Sequence, residues 1–322
     1  MSLAVVFPGQ GSQRVGMGRD WLGHPSAREV FETADKSLGY KLSELCFEGP
    51  EEDLKLTANT QPAILAASYA IYRAIQDELD SCDPPLKPAY MAGHSLGEYT
   101  ALVAARSLSL ADALTTVHER GRLMQVAVPP GAGAMAAVMG LDAAAIAAIN
   151  QAVGSELNAV LEVANYNSPE QIVVSGSAKA VAAATPRYTE AGAKRVVELP
   201  VSAPFHCALM VPAANGLKPL LDSLPFAPAV VPVVSNLTVQ PYPGDPSEYP
   251  MLLHAQIFNP VRWTETVQYF NANGVTHLLE IGPGKVLRML TAKIIREIKT
   301  MNIENESELD ALATWLAEVP AA

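Results

Sequence analysis

Ala89-Tyr90-Met91-Ala92-Gly93-His94-Ser95-Leu96-Gly97-Glu98 is the stretch that decides how this chain is built. A short apolar run, right for a buried strand, leads into Gly-x-Ser-x-Gly, and Glu98 to Ala105 then reads as a helix. Pro84, Pro85 and Pro88 break the chain just before it. A serine on so sharp a strand-to-helix turn has crowded neighbours, and a Cβ at Gly93 or Gly97 would clash. The same turn aims backbone N–H groups and a helix N-terminus at any negative charge developing beside the serine. Ser95 is therefore the candidate reacting atom, and the fold around it is expected to alternate strands and helices.

Working outward, Leu3–Phe7 is strand-like, Ala27–Leu38 helical, and Pro62 to Leu79 a long apolar helix with Thr60 or Asn59 as its cap and Pro62 in its first turn. Another helix runs from Leu110 to about Val126. Alternation of this kind predicts a mainly parallel sheet covered on both faces. The pattern changes at Pro129-Pro130-Gly131-Ala132-Gly133. Ala134–Met139 reads as strand, Asp142–Val153 as helix, Ala159–Ala164 and Gln171–Ser175 as strands, Ala178–Ala191 as helix and Arg195–Leu199 as strand. That β-α-β-β-α-β order is the ferredoxin-like arrangement, read as a small subdomain over 131–199 inserted between 1–130 and 200–322. Val230–Ser235 and Thr276–Ile281 are further strands of the larger part, and Glu304 to Val319 a surface helix docking Leu309, Leu312, Leu316 and Val319.

Composition removes several classes. With 322 residues, 49% of them hydrophobic, the chain can bury an ample core. No apolar run approaches the ~20 residues that span a bilayer, so no membrane association is expected. A net charge of −11 argues against a nucleic-acid partner, which calls for a basic face. Cys46, Cys82 and Cys207 are odd in number and far apart, which suggests a reducing cytoplasm rather than a disulfide framework. The N-terminus has no basic segment or cleavage site of a secretory signal. Neither C-x-x-C nor H-E-x-x-H occurs, so no metal is expected. A monomer is the default expectation.

A serine hydroxyl needs a base. Of the six histidines, His206 lies in Val201-Ser202-Ala203-Pro204-Phe205-His206, just past a predicted strand end, where catalytic groups of α/β sheets gather. Spacing alone does not pair it with Ser95. Cys207 is a poor rival nucleophile, since adjacent residues of an extended chain point to opposite sides.

Seven landmarks run in order along nearly the whole chain: Phe7-Pro8-Gly9-Gln10-Gly11-Ser12-Gln13, Gly93 to Glu98, Arg120-Gly121, Asn165-Tyr166-Asn167-Ser168-Pro169, Pro204-Phe205-His206-Cys207, Gln256-Ile257-Phe258-Asn259-Pro260-Val261 and Glu280-Ile281-Gly282-Pro283-Gly284-Lys285. In these the chain resembles the malonyl-CoA:acyl-carrier-protein transacylases of fatty-acid and polyketide synthesis. The resemblance implies an α/β-hydrolase-like large domain with the ferredoxin-like subdomain inserted. It further implies malonyl-CoA and an acyl carrier protein as substrates, with no cofactor.

By the same resemblance, Ser95 is the nucleophile and His206 the base. The backbone carbonyl of Gln256 stands where a carboxylate would usually orient the histidine. The backbone N–H groups of Gln10 and Leu96 form the oxyanion hole, and Arg120 grips the malonyl carboxylate with a planar fork of two hydrogen bonds. Asn165, His94 and Phe205 line the acyl site. Leu96 and Phe205 match malonyl-selective members, where methylmalonyl-selective relatives more often carry glutamine and serine.

Three other readings fit less well. A serine esterase or thioesterase wants an acid between serine and histidine, and Asp112, Glu162 and Glu198 sit in no recognisable motif. A nucleotide-binding loop fails because Arg14 takes the place of the third glycine. A non-catalytic relative that only binds carrier protein would have no use for Ser95, His206, Arg120 and Gln256 together. For an acidic carrier, the cations of Lys285, Arg288, Lys293, Arg296 and Lys299, with Arg187, Lys194 and Arg195, are the expected basic mouth.

Overall fold

Leu3 to Phe7 are buried without a break, as expected of a strand covered on both faces. In the computed structural model, which describes residues 2–79, 86–201 and 203–319, this segment is the inner strand β1 (Ser2–Phe7) of a parallel sheet. Among the described residues the further strands are β2 (Tyr90–Gly93), β3 (Gly133–Met139), β4 (Leu161–Ser168), β5 (Gln171–Ser177), β6 (Arg195–Glu198), β7 (Val275–Ile281) and β8 (Lys299–Ile303). The parallel sheet has the order β2-β1-β7-β8. Alternation along β1 sorts its side chains. Leu3, Val5 and Phe7 join the core under helices Pro25–Leu38, Thr57–Leu79 and Leu110–Val126. Ala4 and Val6 pack on the opposite face with Trp263, Val267 and Phe270 of helix Trp263–Ala272.

The second sheet is antiparallel throughout, in the order β4-β5-β3-β6, and helices Ala143–Leu157 and Ala178–Glu190 cover one of its faces. Asp142 caps the first of these helices through the Ala145 amide at 2.8 Å. The β-α-β-β-α-β reading is thus realised. The sheet's other face contributes Met135, Ala137 and Val173 to the main core. A seam fastens the two layers, because Val261 donates to the Ala164 carbonyl and accepts from the Tyr166 amide, both at 2.9 Å. β4 slips register on either side of this seam, between Val163 and Asn165 and again between Tyr166 and Ser168.

Three expectations change. The long helix begins at Thr57, so Pro62 is interior and Asn59 and Thr60 are not caps. Pro62 has no N–H for the Ala58 carbonyl, and the His118 ring supplies that donor instead through Nδ1 at 3.0 Å. Val230–Ser235 makes only isolated bridges, Met91 to Val233 and Val234 to Pro241, because Pro232 interrupts it and has no donor for a ladder. Of the cations of the expected basic mouth, Arg288 and Lys293 lie on helix Val286–Ile294 and Lys299 on β8. Finally, Leu309–Leu316 alone is α-helical in the last segment, and of its expected stripe Leu312 and Leu316 are buried.

Cys46 and Cys207 are free and buried, while Cys82, Pro84, Pro85 and Ser202 lie outside the described residues. Among the described residues no helix is long and apolar enough to cross a membrane, and no cluster of three His, Cys, Asp or Glu side chains could hold a metal.

Candidate active site

The elbow is as crowded as its glycines require. A Cβ on Gly93 would fall 1.9 Å from the Gly97 carbonyl carbon, and one on Gly97 would fall 2.1 Å from the Phe7 oxygen. Ser95 itself adopts φ 50°, ψ −101°, a conformation that costs a non-glycine residue about 1–3 kcal/mol and persists only when its surroundings enforce it. Asn236 is one such constraint: its Oδ1 accepts from the Ser95 amide and its Nδ2 donates to the Gly93 carbonyl, each at 2.7 Å.

His206, also at positive φ (57°), brings Nε2 to 2.7 Å from Ser95 Oγ. Its Nδ1 faces the carbonyls of Gln256 at 2.9 Å and Asn259 at 3.2 Å. Carbonyls only accept, so the proton belongs on Nδ1, and Nε2 is left with a lone pair toward the serine hydroxyl. Gln256 ends helix Tyr249–Gln256, where carbonyls have no partner within the helix. Burial first, then the Arg120 charge, pulls the imidazole pKa down to about 3, against the two carbonyls, which raise it. None of the acids considered for an esterase takes the Nδ1 position. Asp112 is bonded to Ser109, Glu162 to the Ala208 amide, and Glu198 is exposed on β6.

Arg120 is 1% exposed and reaches the same spot from helix Leu110–Val126. Gly121 allows that approach, since a Cβ there would meet the Thr57 oxygen at 2.4 Å. One terminal nitrogen donates to Gln61 Oε1 at 2.6 Å; the other donates to Gln256 Oε1 at 2.9 Å and Ser95 Oγ at 3.1 Å. The guanidinium lies 5.5 Å from the Tyr99 ring centroid, and among the described residues its Nε is buried without a hydrogen-bond partner.

Ser95, His206, Arg120, Gln10, Leu96, His94, Asn165 and Phe205 all line one cleft of about 100 Å³, and Gln256 closes it from behind through its bonds to His206 and Arg120. His94 is held by Asn167 Oδ1 at 2.9 Å, and burial lowers its pKa. Gln10 donates from Nε2 to Thr57 at 3.4 Å. Cys207 points away, within 3.1 Å of the Pro204 carbonyl, and burial pushes its thiol up to about 11.

Four residues of this site carried no role in the sequence reading: Gln61, Asn236, Glu98 and Tyr242. Glu98 gave a usable signal, being the one acid in the otherwise apolar or small first turns of helix Leu96–Ala104. Gln61, Asn236 and Tyr242 gave none, since nothing local marks a polar residue that meets Ser95 or its neighbours across the fold.

The expected basic mouth is partly spent. Arg187 is paired with Glu156, Lys299 with Glu318, and Arg288 is bonded to Asn302.

A serine on a strained elbow, a histidine of fixed tautomer and a buried cation beside the hydroxyl suit the chemistry of acyl transfer. The chain belongs to the acyl transferase domain family, whose profile matches residues 4–313. It is 44% identical over 317 residues to the malonyl CoA-acyl carrier protein transacylase of Bacillus subtilis (strain 168), covering 98% of each chain. A 1.7 Å crystal structure of an acyl carrier protein S-malonyltransferase from Vibrio cholerae superposes with a TM-score of 0.92 at 44% identity, over 97% of this chain and 100% of that one. A type II PKS acyl-carrier protein in complex with its malonyl-transacylase gives 0.93 at 42% identity, over 98% and 99%.

Proposed function

We propose that this protein moves a malonyl group from malonyl-CoA to the phosphopantetheine thiol of an acyl carrier protein, through a malonyl ester on Ser95. The observation that carries this reading is the buried Arg120 guanidinium one hydrogen bond, 3.1 Å, from the nucleophile. A fixed cation there suits an acyl chain that ends in its own carboxylate, and an acetyl group would leave it unpaired. Sites of this kind discriminate by roughly 10⁴.

Nε2 of His206 takes the hydroxyl proton as Ser95 Oγ attacks the thioester carbonyl. The oxyanion forms against the Gln10 and Leu96 amides, and its collapse breaks the C–S bond. His206 hands its proton to the departing CoA sulfur. The carrier's thiol then gives a proton to Nε2, its sulfur attacks the serine ester, and the proton returns to Ser95 as the new thioester leaves. The thioester is already an activated acyl group, so these steps ask for neither metal nor cofactor. The carbonyls on Nδ1 stabilise the transient imidazolium without placing a negative charge beside the malonyl carboxylate. On this reading 1–130 with 200–322 form the catalytic part and 131–199 the wall that carries Asn165. The free thiols fit a cytoplasmic setting.

Intact-mass analysis after mixing with malonyl-CoA tests the proposal. One malonyl adduct, absent in Ser95→Ala and discharged by an added holo carrier protein, is the expected result. Release of CoA without any adduct or carrier product would replace transfer by hydrolysis.

A further inference from the structure

Behind the catalytic serine lies a carboxylate that none of these proton transfers uses. Glu98 is fully buried in the first turn of helix Leu96–Ala104. Oε1 accepts from the Tyr242 hydroxyl, and Oε2 accepts from the Asn236 amide at 3.0 Å and Gln256 Nε2 at 2.8 Å. An amide N–H and a carboxamide NH₂ can only donate, so Oε2 carries no proton, and the Tyr242 hydroxyl is placed to donate to Oε1 of the ionised acid. Burial is the largest influence and leaves its pKa above the ordinary carboxylate value, and these three donors and Arg120 offset only part of that rise.

The Gln256 carboxamide that gives its NH₂ to Glu98 turns its oxygen to Arg120 at 2.9 Å. Two buried opposite charges therefore face each other across one amide. The direct side-chain hydrogen-bond partners of Arg120 are neutral: Gln61, Gln256 and the Ser95 hydroxyl. A guanidinium almost sealed from water and held only by neutral oxygens is costly without a counter-charge. Glu98 is the carboxylate whose charge acts on it. The intervening amide keeps the two from closing into a salt bridge, so the guanidinium stays open toward the cleft.

We infer that Glu98 is the standing counter-charge of Arg120 and sets how strongly the site prefers an acyl group bearing its own carboxylate. The inference rests on the reading of Arg120 as the carboxylate clamp. An arriving carboxylate feels the guanidinium in front and Glu98 behind it. Glu98 keeps the empty cleft stable at the expense of some affinity for the anionic acyl group.

Glu98→Gln isolates the charge, because its carbonyl can accept from Asn236 and Gln256 while its NH₂ donates to the Tyr242 oxygen. The readout is the ratio of kcat/KM for Ser95 acylation by malonyl-CoA to that by acetyl-CoA, measured by intact mass. Changes at the nucleophile, the oxyanion or His206 touch both acyl groups and cancel in this ratio; loosened packing lowers both rates together. The ratio is expected to rise about tenfold, as for one unit charge removed from about 10 Å away at an effective dielectric constant of about 20. The rise should come from a lower KM for malonyl-CoA. Tyr242→Phe keeps the carboxylate but takes away one donor that favours its ionised form, so the ratio should rise about two- to threefold. It also serves if Glu98→Gln does not fold. An unchanged or lower ratio in whichever variants fold overturns the inference. Arg120→Ala, run alongside, tests the underlying reading separately. A ratio that collapses there while the Glu98 and Tyr242 variants stay flat refutes only the counter-charge. A ratio unmoved by Arg120→Ala removes the clamp itself.

Discussion

Replacing Asn236 by alanine should damage both the stability of the protein and the chemistry of Ser95, by amounts that follow from two hydrogen bonds. The side chain accepts from the Ser95 amide and donates to the Gly93 carbonyl, both at 2.7 Å. Alanine orphans a buried donor and a buried acceptor at about 1–3 kcal/mol each, so a total near 3 kcal/mol is a moderate expectation. An unfolding entropy of about 2.1 cal/mol/K per residue turns that into a Tm lower by roughly 4–5 °C for a chain of this length. The chemical effect should be larger. Without Asn236 the serine can relax from φ 50°, and a displacement of ~1 Å relative to His206 Nε2 costs on the order of 10²-fold in rate. Calorimetry gives the first quantity, and rapid-quench intact-mass measurement of Ser95 acylation gives the second. A variant with the predicted Tm loss but an acylation rate within threefold of the parent would refute the reasoning, because the elbow would then hold its own geometry.

Acylation should stay on a plateau from pH 8 down to about pH 5. His206 acts as base when unprotonated, and its pKa is pulled down to about 3, so the limb lies below that range; a limb near pH 6.5 would contradict the burial argument. His118→Phe should cost about 1–2 kcal/mol by orphaning the Ala58 carbonyl, and Pro62→Ala should abolish most of that cost by restoring the missing N–H. A double-mutant cycle of denaturant midpoints reads this coupling, and additivity would sink it. Lys285→Glu with Lys293→Glu should slow discharge to an acidic carrier protein several-fold and leave acylation by malonyl-CoA unchanged, with the difference shrinking in high salt. Equal slowing of both steps would move the docking surface elsewhere.

What the sequence makes legible is what short-range sterics and periodicity control. The crowding at Gly93 and Gly97 predicts the elbow, and the order of apolar runs from Ala134 to Leu199 predicts the antiparallel sheet. Misreadings arise where a distant residue changes the local account. Pro62 looks like a helix start until His118 is known to serve the Ala58 carbonyl. Val230–Val234 has the apolar character of a strand, but Pro232 denies it a ladder. The site follows the same division. Ser95 and His206 lie in recognisable local settings, whereas Gln61, Asn236 and Tyr242 acquire their roles only through contacts 59, 141 and 144 positions away in the chain.

The seam at Val261 gives the cleft a mechanical character. Its hydrogen bonds to Ala164 and Tyr166 tie the antiparallel sheet to the segment that begins with Gln256 and Asn259, whose carbonyls aim the imidazole. Any rotation that widens the cleft at β4 pulls on that segment. The width of the cleft at β4 and the aim of the imidazole are thus set through one short length of chain, Gln256 to Val261.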